Sequence, residues 1–302
     1  MRLDTQQKNN GMFDAPKSKY LVPFDGSFNV VDASTAPWTD DQDECKRRLR
    51  EAVKQLDELQ KALYAADRHA VLLIFQGMDA AGKDSTIRAV MQGINPAGCQ
   101  VFSFKKPGSR SLDHDYLWRT TEALPQRGRI GIFNRSQYEE VLVVRVHPEI
   151  LGGRKLPGPI NMDTIWQERF ESIRDQEKHL ARNGTVIMKF WLNISKEEQR
   201  RRFLSRLDEP DKQWKFNPSD IEEREYWDAY MQAFEEALNA TSRPWAPWYA
   251  IPADYKPYMR ARIAEIIVEA LSGLGLTYPR PTEEEMARFD TYRAELNRPD
   301  GK

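Results

Sequence analysis

The chain has 302 residues, 40% of them hydrophobic, which is enough apolar surface for one large α/β core or two small ones. Its 45 Lys and Arg nearly balance 46 Asp and Glu, and a formal net charge of −1 excludes any global attraction to nucleic acid or to a membrane surface. Cys45 and Cys99 lie far apart and form no CxxC or metal-ligand pattern, so a disulfide framework is excluded and a reducing compartment is expected.

Met1 to Asn10 is polar and lacks an apolar h-region, unlike a secretory signal. No run approaches the roughly 18 apolar residues of a membrane span, and a cytoplasmic location is expected. Residues 1–39 carry Pro16, Pro23, Gly26 and Pro37 and read as an irregular arm that packs on the body or on a neighbouring subunit. From about Asp41 to Ala66, Leu49, Val53, Leu56, Leu59 and Leu63 recur at helical spacing. Strands and helices then alternate. Strands are expected at Ala70–Phe75, Gln100–Phe104, Arg129–Phe133, Thr185–Asn193 and Trp248–Ile251, with helical patterns at 83–93, 112–123, 135–147, 162–182 and 255–272. This order predicts a parallel sheet wrapped by helices on both faces, with ligands beyond the carboxyl ends of its strands.

Ser195 to Ser242 is charged and helical, broken at Glu209-Pro210-Asp211 and Asn217-Pro218. Ser219 and Glu222 have the spacing of a capping box for a second helix. A helical hairpin serving as a lid, at about 195–242, is therefore expected on a main domain of 40–272. The tail, 273–302, is expected to hold one short helix near Glu283–Leu296.

The densest chemistry lies in Gly77-Met78-Asp79-Ala80-Ala81-Gly82-Lys83-Asp84-Ser85-Thr86, between the first strand and the next helix. Strand, glycine loop, lysine and helix in that order make a phosphate cradle, because backbone N–H groups and the helix N-terminus converge on an anion. The spacing fits G-x-x-x-x-G-K, but Asp84 stands where Ser or Thr would hold Mg²⁺. Phosphate-binding residues are thus expected at Gly77, Ala80, Ala81, Gly82, Lys83, Asp84 and Ser85. At the end of the third strand, Asn134 occupies the place where many phosphate-transferring enzymes carry a metal-holding Asp. Arg135 beside it can grip phosphate in a fork, and Glu139 can either orient Arg135 or face a substrate. Lys105 and Lys106, beside Pro107 and Gly108, suit an incoming phosphate but equally an ordinary solvated loop. Arg202 and Arg206 share one helix face, as lid arginines or as a salt-bridged surface. None of the four histidines is required for chemistry.

The P-loop GMDAAGKDST, the strand end IFNRSQYEEVLVVRVHPEIL, the segments GCQVFSFKKP and LDHDYLWR, and the lid stretch WKFNPSDIEEREYWDAYMQAFEEAL together resemble polyphosphate kinase 2 enzymes over about residues 40–270. The Asn-Arg-Ser-x-Tyr-Glu variant resembles the class III subgroup, which acts on nucleoside mono- and diphosphates. The resemblance implies a three-layer α/β/α P-loop kinase fold like thymidylate kinase, with a five-stranded parallel sheet and a helical lid. It further implies reversible transfer of the terminal phosphoryl of inorganic polyphosphate to AMP or ADP; no base-reading motif sets adenine against guanine, which leaves GMP and GDP open as acceptors. Mg²⁺, or Mn²⁺ in its place, would be required, and the assembly would be a homodimer or homotetramer. Residue by residue, it implies catalytic roles for Asp79, Lys83, Asn134 and Arg135, with metal held by Asp79 and Asn134. Polyphosphate would meet the loop with Lys105, Lys106, Arg202 and Arg206, and the acceptor nucleotide would meet Lys106, Arg135 and Glu139. Two rival readings share the core: an ATP-dependent nucleoside monophosphate kinase, and a non-catalytic P-loop nucleotide sensor.

Overall fold

The structure, a computed structural model, describes residues 13–298. Five parallel strands form one sheet: β1 (Ala70–Gln76), β2 (Cys99–Ser103), β3 (Ile130–Asn134), β4 (Thr185–Asn193) and β5 (Trp248–Pro252), in the order β2-β3-β1-β4-β5. β1 lies at the centre and all seven of its residues are buried, which is why its sequence is an unbroken apolar run rather than an alternation. Its register pairs Phe75 with Asn134 of β3 and Gln76 with Trp191 of β4, so the ends of β1 and β3 are side by side.

The long helix α1 (Gln42–Ala66) starts at Asp41, whose carboxylate accepts from the N–H groups of Asp43 and Glu44. It packs on α10 (Lys256–Ser272), which also covers α2 (Lys83–Val90). The other layer holds α6 (Ile165–Arg182) and α9 (Trp227–Thr241). The first 12 residues of the expected arm lie outside the described residues; its described part, 13–39, lies on the body: Leu21 bridges Tyr249 antiparallel, and the Tyr20 carbonyl accepts from Ala250 N–H at 2.8 Å. This covers the open edge of β5. Among the described residues no helix is long and apolar enough to cross a membrane.

Two expected helices are broken. The 112–123 pattern is two single turns, α3 (Ser109–Leu112) and α4 (Trp118–Thr121), because the Asp115 side chain takes Leu117 N–H and starts a new turn. The 135–147 pattern is a 3₁₀ turn at Gln137–Glu140 and a short α5 (Val143–Val146). There Arg135 is left-handed (φ 64°) and Ser136 is extended, its hydroxyl accepting from Tyr138 N–H. The expected capping box at Ser219 is absent. α7 (Lys196–Asp208) is followed by a 3₁₀ turn at Gln213–Lys215 and by α8 (Ser219–Glu223), which has Pro218 at its N-cap. The Asn217 side chain takes the Ser219 N–H instead. The tail helix α11 (Glu283–Leu296) does carry a capping box, between Thr282 and Glu285.

One charge sits in the middle of the sheet. Lys189 of β4 is fully buried, and its ammonium donates to the Glu177 carboxylate (2.5 Å), the Tyr138 hydroxyl (2.9 Å) and the Thr241 carbonyl (2.9 Å). Burial pulls the lysine pKa down to about 8 and pushes that of Glu177 up, while their contact opposes both shifts. Lys189→Met alone should destabilise the protein by about 3–5 kcal/mol, because it strands Glu177. Lys189→Met with Glu177→Leu should recover most of that loss in urea denaturation.

Candidate active site

The loop after β1 closes on itself through positive φ angles at Gly77 (148°), Ala80 (64°) and Gly82 (105°). Gly77 admits no side chain, since a Cβ there would lie 2.9 Å from the Leu192 carbonyl oxygen. The N–H groups of Gly82, Lys83, Asp84 and Ser85 find no acceptor within the described chain. They are the unpaired donors of a helix N-terminus, where an anion is favoured. Lys83 is buried and its ammonium turns back onto the loop, donating to the carbonyls of Gly77 (2.6 Å) and Met78 (3.2 Å). Burial, then repulsion from Arg135, pulls its pKa down to about 8 against the pull of Asp79, Glu139 and Asp84.

The end of β3 meets this loop directly. Arg135 donates to Asp79 at 2.7 Å and to Glu139 at 3.2 Å, so one guanidinium links the P-loop to the following turn. The left-handed backbone at Arg135 turns its side chain across the strand ends. Asn134 is nearly buried, and its amide donates to Asp84 at 2.7 Å and to the Ser103 hydroxyl at 3.4 Å. Burial pushes the Asp79 carboxyl up, but Lys83, Arg135 and Arg206 together hold it below the usual carboxylate range. Arg135 is held above its usual value: burial opposes this, and Glu139 and Asp79 outweigh it.

These residues suit a hard divalent cation of the Mg²⁺ type. Asp79, Asp84 and the Asn134 amide offer only oxygens, and no group of three or more His, Cys, Asp or Glu makes a cage among the described residues. An ion that takes one or two carboxylates and the rest from water and phosphate oxygens fits that sparse set. A cavity of about 440 Å³ opens beside it, lined by Asp84, Asn134, Ser103 and Met91 among others. Larger cavities, such as one of about 640 Å³ under the arm, lie away from the loop.

The two helix arginines part company. Arg202 is buried and spends all its nitrogens on the fold: on the carbonyls of Ala80 (3.0 Å), Ala81 (2.8 Å), Ala253 (2.5 Å) and Asp254 (3.2 Å), and on Glu198 (2.7 Å). Its expected place on a phosphate is taken by the P-loop backbone itself. Arg206, one turn on, pairs with Asp220 of α8 at 3.1 Å, and its charge reaches Asp79. Lys105 and Lys106 are exposed and their side chains make no ion pair among the described residues. Spacing arguments passed over Gln199, which donates to the Asp79 carbonyl (3.0 Å) and accepts from Arg224 (2.7 Å). Its i, i+3 relation to Arg202 was the available signal. Asp220, and Tyr230, whose hydroxyl donates to Glu223 at 2.7 Å, lie within the lid stretch but carry no role that spacing assigns. Arg202→Met should cost about 2–4 kcal/mol by stranding buried carbonyls, whereas Arg206→Met should leave thermal stability nearly unchanged in the same melting experiment.

The profile of the family described as Polyphosphate kinase 2 (PPK2) matches residues 39–275. The chain is 55% identical over 261 residues to an ADP-polyphosphate phosphotransferase of Rhodopseudomonas palustris, covering 86% of this chain and 90% of that one. It is 43% identical over 266 residues to an AMP/ADP-polyphosphate phosphotransferase of Meiothermus ruber, covering 87% and 96%. Its fold is similar to the crystal structure of Polyphosphate Kinase 2 from Arthrobacter aurescens TC1, with a TM-score of 0.83 and 34% identity over 94% of this chain and 97% of that one. Cradle, strand-end arginine and matched length agree, and the chain belongs to the polyphosphate kinase 2 family.

Proposed function

We propose that the protein transfers the terminal phosphoryl group of inorganic polyphosphate to AMP and ADP, reversibly and in line, with guanine nucleotides as further acceptors. The observation that carries this reading is the bridge Asp79–Arg135–Glu139, with Lys83 beneath it. One guanidinium there can serve two phosphates at once: the one leaving a donor in the P-loop and the one on an acceptor near Glu139. Phosphoryl transfer asks little covalent chemistry of a protein; it needs alignment and charge neutralisation. Lys83 and the free N–H groups would hold the donor end. Lys105, Lys106 and Arg206 would gather the approaching anions, with Arg206 leaving Asp220. Arg202 would act from behind, by fixing the loop. Two phosphotransferase relatives, named for ADP and for AMP/ADP, support the donor and the acceptor class.

Asp79 would hold Mg²⁺ (Mn²⁺ takes the same oxygens), with Asn134 and Asp84 beside it, and the cation would supply neutralisation of the negative charge that develops between donor and acceptor. Histidine has no part in this scheme: His147 lies between Glu149 and Glu223, and His114 is stacked on Trp118. We assign the domain to residues 40–272, the lid to about 195–242, the arm to 1–39 and the tail to 273–302. A cytoplasmic homodimer or homotetramer, without nucleic acid or membrane as partner, completes the reading.

Protein incubated with ADP, Mg²⁺ and polyphosphate, with no ATP present, should give luciferase light. Darkness alongside vigorous ATP-to-AMP transfer would mean an ATP-dependent kinase instead, and tight nucleotide binding without any turnover would mean a sensor. The pH dependence follows from Lys83. Its charge is lost as pH rises through about 8 in the empty cradle, and the negative charge of a bound phosphate would restore it. Polyphosphate binding therefore takes up a proton above that pH, and its apparent KM should climb by up to about tenfold per pH unit. Initial rates from pH 7 to 9.5 check this; a flat KM would argue against the lysine as donor ligand.

A further inference from the structure

We infer that the polyphosphate site continues past the P-loop onto the start of α10, where Arg88, Lys256 and Arg260 form a track for phosphates remote from the reacting end. This rests on the proposed donor. The first turn of α10 is seated on the cradle: Met259 lies 3.5 Å from where a Cβ on Gly82 would stand, and its sulfur receives the Thr86 hydroxyl at 4.0 Å. Lys256 and Arg260 flank Met259, one helical turn apart, and Arg88 lies two residues beyond Thr86 on α2.

Positive charge here is left uncompensated. Most cations of the lid have a carboxylate: Arg200 takes Glu197, Arg201 and Arg202 take Glu198, and Lys212 takes Glu209. Arg88, Lys256 and Arg260 have none among the described residues. Glu198 and Glu209, the carboxylates whose charge reaches Lys256 or is reached by it, are those already engaged. The Nε of Arg260 is buried without an acceptor. Burial, then repulsion from Arg202, Arg260 and Lys212, pulls Lys256 down to about 8, and burial with repulsion from Arg88 and Arg202 lowers Arg260. A solvated surface patch would show neither a buried orphan donor nor a desolvated lysine. The N-terminus of α10, 17 residues long with Pro257 in its first turn, adds partial positive charge to the same spot.

The occupant that suits this arrangement is a linear polyanion. The phosphates of a nucleotide end with the cradle, whereas polyphosphate carries about one negative charge at every unit and can lie across both places. The number of units that reach α10 would then set a preference for chain length.

The test compares long-chain polyphosphate with tripolyphosphate as donors to ADP, using the full-length protein. For Arg88→Gln, Lys256→Gln and Arg260→Gln, the ratio of long-chain to short-chain KM should rise about three- to tenfold for each charge removed. The salt dependence of long-chain KM should weaken in parallel. Lys256→Arg should keep the wild-type ratio. Arg88 is exposed, so Arg88→Glu tests the idea even where a change on α10 harms folding. An unchanged ratio in Arg88→Glu and in the folded α10 variants overturns the track. If the unaltered protein uses no polyphosphate of any length, it is the proposed function that fails, and the two failures are told apart.

Discussion

The Arg135 guanidinium joins two strand ends that the sheet alone would leave as separate loops. It reaches Asp79 on one side and Glu139 on the other because its backbone is left-handed. That conformation costs a non-glycine residue about 1–2 kcal/mol, and the surrounding bonds hold it in place. Ser136 fixes the next turn through Tyr138 N–H, and the Arg135 N–H donates to the Phe75 carbonyl at 3.0 Å. The strain lies where charge must be aimed, as is common at functional sites.

Around this bridge the molecule separates rigid from adjustable parts. Arg202 anchors α7 to the P-loop carbonyls and to the end of β5, so the root of the helical insertion cannot shift without moving the cradle. One turn later the attachment is thinner. Arg206 meets Asp220 at 3.1 Å, and the exposed Trp214 and Ile221 lie beyond it. Burial and the nearby Asp79 push the Asp220 carboxyl up. That pair is therefore a weaker tie than the buried one, since solvent screens it and Asp79 disfavours its acid. If this insertion serves as the proposed lid, it would close about a fixed base.

Much of this was legible in the sequence. β1 announces itself as an apolar run bounded by turn residues and β4 as one interrupted only by Lys189, and the P-loop follows from spacing alone. The tail helix was also readable, at the expected Glu283–Leu296. What stayed hidden depends on single tertiary contacts. Periodicity over 135–147 suggested one helix, and nothing local told of the left-handed Arg135 or of Arg154 and Arg169 pulling on Glu140. Arg202 and Arg206 look alike at i, i+4, yet one is buried against backbone carbonyls and the other faces a carboxylate. Only the position of the helix relative to the loop separates them.

The hydrogen bond between Asn134 and Asp84 has a consequence for the empty enzyme. Were residue 134 an aspartate, two acids would stand 2.7 Å apart, and a cation or a shared proton would be needed to keep them together. The amide removes that need. It ties helix start to strand end by its own hydrogen bond, with no cation needed between the two side chains. Positions 84 and 134 are coupled in the same sense: a change of charge at one alters what the other can tolerate.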